Sequence, residues 1–145
     1  MKLSDLVKHI SYSSLNTART DIAYWVARYG HKISDPTNAA MSRGHAVEHG
    51  LKYLHNGGEF DDPIDEALKN FNKRTALGVD GESKEREAGN IPGYFKNYAE
   101  LWDGEPPQII AHQKKIKLEI PGIEVPLIGY TDFEFEDSIW DLKTT

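Results

Sequence analysis

The run Leu127-Ile-Gly-Tyr-Thr-Asp-Phe-Glu-Phe-Glu-Asp-Ser-Ile-Trp-Asp-Leu-Lys-Thr144 decides the reading of the chain. Its apolar residues alternate with polar ones, the period of a strand, and the charged turn Glu136-Asp137-Ser138 divides it into strands over Val125 to Phe135 and Ile139 to Thr144. On the first strand Ile128, Tyr130, Asp132 and Glu134 share a face, and Leu127, Gly129, Thr131, Phe133 and Phe135 share the other. On the second, Ile139, Asp141 and Lys143 share a face. A two-residue loop at Glu136-Asp137 sets Asp132 opposite Asp141, whereas a three-residue loop sets Asp132 opposite Leu142 unless a bulge restores the register. Directly opposed carboxylates have Cβ atoms about 4.5–5.5 Å apart and repel each other. A divalent cation between them reverses that sign, and Mg²⁺ takes oxygen ligands of this kind. Lys143, two residues beyond Asp141, is placed to help deprotonate or position an attacking water, or to offset charge developing on a phosphate. By itself, an Asp-x-Lys also describes an ordinary exposed strand pair.

Upstream of this hairpin the alternation begins at Gln108, with Ile116, Leu118 and Ile120 set against Lys115, Lys117 and Glu119 before the Pro121-Gly122 turn. Earlier still the period is helical. A helix is expected near 14 to 29, entered through Ser11-Tyr-Ser-Ser-Leu-Asn and stopped by Gly30. Met41, Gly44, Val47, Leu51 and Leu54 mark a second, stopped by Asn56-Gly57-Gly58. Asp62-Pro63 opens a third through Ile64, Ala67, Leu68 and Phe71, and Ile91, Tyr94, Phe95, Tyr98, Leu101 and Trp102 form a fourth amphipathic stretch. The polar, glycine-containing Leu77 to Asn90 reads as a mobile loop, and Trp25, Trp102 and Trp140 read as core. Helices followed by a meander of three strands define an α+β domain.

Composition narrows the chemistry. At 145 residues, 39% apolar and 28% charged, the chain is the size of one globular domain. It has no cysteine, which excludes disulfides, zinc ribbons and iron–sulfur clusters held by thiolates. Met1 to Ile10 interleaves charges with apolar residues and is neither a signal peptide nor a membrane span. The net charge of −6 is unevenly spread: residues 1–55 carry seven Lys or Arg against four acids, and residues 56–106 carry six against twelve. The first third is therefore the part suited to face a polyanion.

Glu48 falls inside the apolar arc of the second helix, where a carboxylate needs a partner; Arg43, a lysine or a metal would each serve. Gly44, one turn earlier, permits close approach of a strand or substrate backbone. His45-Ala-Val-Glu48-His49 also matches the H-x-x-E-H order of zinc peptidases. Ser13, Tyr130, Arg43 and Lys114 are candidate DNA contacts, with Lys115, Lys117, Arg19 and Arg28 as further candidates for the phosphate backbone.

Four segments together resemble the RecB-like, phage-type exonuclease branch of the PD-(D/E)XK nuclease superfamily. Ile10-Ser-Tyr-Ser-Ser-Leu-Asn is similar to its opening segment and Arg43-Gly-His-Ala-Val-Glu to its first helical motif, while Gly129-Tyr-Thr-Asp-Phe and Ile139-Trp-Asp-Leu-Lys-Thr-Thr are similar to its second and third. The resemblance implies a single nuclease domain over 1–145 with a restriction-endonuclease-like, sandwich-like core: N-terminal helices, then a mixed β-sheet cut off after its third strand. It implies that Glu48, Asp132, Asp141 and the Leu142 carbonyl ligate Mg²⁺ or Mn²⁺, and that Lys143 assists the attacking water. The expected activity is hydrolysis of DNA phosphodiesters in recombination, repair or phage DNA processing. The expected setting is the cytoplasm, the host's for a phage protein, with DNA as partner, no membrane, and self-association or a recombination protein as a further contact. Many relatives have histidine where Glu48 stands, and the family's Gln-x-x-x-Tyr helix has no counterpart before Thr145. A zinc peptidase and a non-catalytic DNA-binding or assembly module are the competing classes.

Overall fold

The computed structural model describes residues 2–57, 61–102 and 106–144, Asp61 in its backbone alone. Among the described residues, six α-helices precede a three-stranded sheet in the order β1-β2-β3, with β1 at Ala111–Leu118, β2 at Leu127–Glu134 and β3 at Ile139–Trp140. The α+β class and the order of elements follow the expectation, but the sheet is antiparallel rather than mixed. Among the described residues, parallel pairing is confined to the isolated bridge between Ile10 and Leu127. No helix among the described residues is long and apolar enough to cross a membrane.

The chain forms two compact units, Met1–Asp35 with Gln113–Thr131, and Pro36–His112 with Asp132–Thr145. The first contains α1 (Leu3–Leu6), α2 (Tyr12–Thr20), α3 (Ile22–Trp25) and a π-helical turn at Val26–Gly30. The single helix expected near 14 to 29 is broken at Asp21. This residue is extended, and its carboxylate accepts the Tyr24 N–H, so it caps a new helix instead of continuing the old one. Ser11 caps α2 by accepting the Ser14 N–H. The small core of this unit is Val7, Ile10, Trp25 and Val125.

The second unit contains α4 (Ala39–His55), α5 (Asp61–Arg74) and α6 (Gly81–Ala99). Asn38 caps α4 by accepting the Met41 N–H, and Pro63 stands in the first turn of α5, where a missing N–H costs nothing. The apolar stripes of the three helices meet in a core containing Val47, Leu51, Phe71, Ile91, Phe95 and Phe133. Full burial of each such side chain contributes roughly 1.5–3 kcal/mol. Gly50 lets α4 approach α5 closely, because a Cβ there would lie 2.4 Å from the Pro63 carbonyl oxygen.

The segment expected as a mobile loop, Leu77 to Asn90, is mostly the first half of α6. Asp80 caps that helix by accepting the Ser83 N–H. Its buried stripe runs Glu87, Ile91, Phe95, Tyr98, so a carboxylate occupies the first core position and hides the helical period.

Candidate metal centre

The β2–β3 turn fixes the register on which the site depends. Phe133 pairs with Trp140 and Glu134 with Ile139, and the Phe135 N–H donates to the Ser138 carbonyl at 2.8 Å. The loop is therefore the two residues Glu136-Asp137, and one step further along the same register Asp132 faces Asp141. The ladder itself stops at Trp140, short of the Thr144 expected. The Leu142 N–H, which a longer ladder would have used, donates instead to Asp132 Oδ2 at 2.7 Å. This bond ties the Asp132 carboxylate to the segment that carries Asp141 and Lys143.

The two aspartates act on each other and are shifted in opposite directions. Burial, together with repulsion from Glu48 and contact with Asp141, pushes Asp132 above the usual carboxylate range, against a lowering pull from the Leu142 N–H. Asp141 is held below that range chiefly by its hydrogen bond to Lys143. The Lys143 ammonium reaches both oxygens of Asp141, at 2.8 and 2.6 Å, and Asp141 in turn raises the lysine. Both side chains are largely exposed, at 72% and 68%.

Glu48 approaches from α4. Its side chain is 18% exposed, and His112 Nε2–H donates to its Oε1 at 2.9 Å. Arg43 instead turns inward, donating to Glu87 Oε2 at 2.5 Å and to the Thr144 carbonyl at 2.8 Å, with its guanidinium 5.1 Å from the centre of the Tyr94 ring. Gly44 admits the same terminal segment, since a Cβ there would lie 3.1 Å from Thr144 Oγ1. Arg43 and Gly44 thus dock residues 141–144 against α4.

Ser13, Lys114 and Tyr130 are exposed residues of the first unit. Arg28 pairs with Asp35 and Tyr24, and Lys117 with Glu119. His45 and His49 are exposed, with His49 Nε2 4.0 Å from Glu66, while the intervening Glu48 engages His112. The residue missed in the sequence is His112. No local pattern marks it, and its place emerges only when β1 is paired with β2. The Ile110 N–H donates to the Glu134 carbonyl at 2.7 Å, and two residues inward that antiparallel pairing sets His112 beside Asp132.

As placed, these groups bond to one another, and among the described residues no three or more His, Asp or Glu are gathered about one cation position. The fit to a divalent cation is nevertheless chemical. Glu48, Asp132 and Asp141 are hard oxygen donors, and a cation would relieve the mutual repulsion that helps to push Asp132 up. Comparison of the chain with known families, with curated proteins and with solved structures finds no match.

Proposed function

We propose that the chain is a Mg²⁺- or Mn²⁺-dependent nuclease of the PD-(D/E)XK kind that hydrolyses DNA phosphodiesters. The observation that carries the proposal is the facing pair Asp132 and Asp141, with Glu48 close enough to help push Asp132 up. A sheet built only for stability avoids opposed like charges. Here they persist, and the charged residues converge on one hairpin and one helix face.

Glu48, Asp132, Asp141 and the Leu142 carbonyl would hold the cation, as hard ligands suited to Mg²⁺ or Mn²⁺. When bound, such a cation supplies Lewis acidity toward a phosphate and favours a deprotonated water. The protein's own groups do the rest. The Leu142 N–H fixes Asp132, and Asp141 keeps Lys143 protonated and pointed toward solvent, where a phosphate can approach. In that state Lys143 is a cation for the phosphoryl oxygens rather than a base. His45 and His49 are both exposed, one helical turn apart, whereas Glu48, the base a zinc peptidase would need beside them, is bonded to His112.

The test is cleavage of end-labelled linear DNA, beside a closed circle, in Mg²⁺ and in Mn²⁺. Wild type is expected to degrade the linear DNA and Asp141→Ala to lose at least about 100-fold in rate. Sparing of the circle identifies an exonuclease. Equal rates for the two proteins overturn the assignment.

A further inference from the structure

We infer that His112 is a positioning residue of this centre, acting through Glu48 to set its affinity for a divalent cation. The inference rests on the metal-nuclease reading above and adds to it a residue outside all four of the segments that suggested that reading.

Glu48 projects from a helix on a flexible side chain, and holding such a chain in one rotamer costs up to about 1.5–2 kcal/mol in entropy. The His112 Nε2–H bond to Oε1 fixes one carboxylate oxygen in advance. Both side chains are 18% exposed, so water competes poorly for the bond. The imidazole is itself held, its ring tilted at 38° to that of Phe133 with centroids 5.4 Å apart, and Phe133 is fully buried. The strand pairing that sets His112 beside Asp132 places the donor at the edge of the carboxylate group rather than at a remote surface. The residue that follows, Gln113, has φ of 51°, the left-handed region that favours glycine. Strain of this kind persists only where the surroundings impose it, and it marks the point at which β1 presents His112.

Partners that orient a metal-binding carboxylate typically change metal affinity 10- to 100-fold when removed. The experiment is titration of Mn²⁺ followed by electron paramagnetic resonance, in which the free-ion signal falls as the ion binds. His112→Phe keeps the ring against Phe133 and deletes the donor; His112→Gln keeps an N–H donor. Wild type is expected to bind Mn²⁺, His112→Phe to bind at least about 10-fold more weakly, and His112→Gln to recover most of the loss. In a Glu48→Ala background, His112→Phe is expected to add nothing, because its effect passes through Glu48. Unchanged affinity in His112→Phe overturns the inference while leaving the metal centre in place. A full further loss in the Glu48→Ala background also overturns it, making His112 an independent ligand. Absence of Mn²⁺ binding in folded wild type, matched by Asp141→Ala, overturns the metal reading and this inference together.

Discussion

Two groups of charged side chains meet α4 in the second unit, and they handle charge in opposite ways. Arg43 and Glu48 are five residues apart, about 140° round the helix. Around Arg43 the charge is closed: the buried guanidinium meets buried Glu87, and its other arm caps the Thr144 carbonyl. Around Glu48 the group is open to solvent, with Asp141 and Lys143 largely exposed. Three carboxylates gather there, with the His112 imidazole on Glu48, the Leu142 N–H on Asp132 and the Lys143 ammonium on Asp141. The first arrangement holds the fold. The second gathers the oxygen donors that the proposed cation-dependent reaction would use.

The contrast predicts stability changes of opposite sign. The largest follows from breaking the closed pair: Arg43→Met leaves Glu87 buried with only the more exposed Arg86 as a charge partner, and should cost about 3–5 kcal/mol in urea unfolding. A loss under about 1 kcal/mol would show that the pair is not what docks residues 141–144. In the open group the same kind of operation should do no harm. Asp132→Asn keeps an oxygen for the Leu142 N–H and removes one of two opposed charges, so stability should rise by up to about 1 kcal/mol while Mn²⁺ binding is lost. A loss of stability instead would mean that Asp132 is there to support the fold.

These clusters also mark how far the sequence could be read. The period of two put Asp132 and Asp141 on adjacent strands and left the loop length to decide whether they face, and the period of Met41, Gly44, Val47, Leu51 and Leu54 was enough to set Glu48 on the inner arc of α4. Both are local patterns. The first half of α6 was not readable in that way, because Glu87 occupies a core position only by virtue of Arg43, 44 residues away. His112 was hidden for the same reason, since its role depends on a strand pairing and on a residue 64 positions earlier. Asp21 was a competition between a helical stripe and a side-chain cap, and the cap prevailed.

A smaller effect separates a third polar group from both. His55 is buried, with Nδ1 at 2.7 Å from the Pro107 carbonyl and Nε2 at 2.6 Å from the Tyr98 hydroxyl. A carbonyl only accepts, so Nδ1 carries the proton, Nε2 accepts from Tyr98, and the ring is neutral. Burial pushes His55 below 6.5 and Tyr98 up to about 12. For the lowered histidine, stability is full above pH 6.5 and is lost as pH falls through the folded value. For the raised tyrosine, stability is full below pH 10 and is lost as pH climbs toward about 12. Each edge should be on the order of 1 kcal/mol, the scale of one hydrogen bond, and His55→Phe should flatten the acid edge. Persistence of that edge in His55→Phe would assign it to the carboxylates instead.

The most direct test of the open group as a cation site is the melting temperature of the folded chain as Mn²⁺ is added. A ligand that binds only the native state stabilises it by about 2.7 kcal/mol at 100 times its Kd. Wild type should therefore melt at a temperature that keeps rising with the logarithm of Mn²⁺ concentration, and Asp132→Asn should not respond. A wild-type melting temperature indifferent to Mn²⁺ would contradict the account.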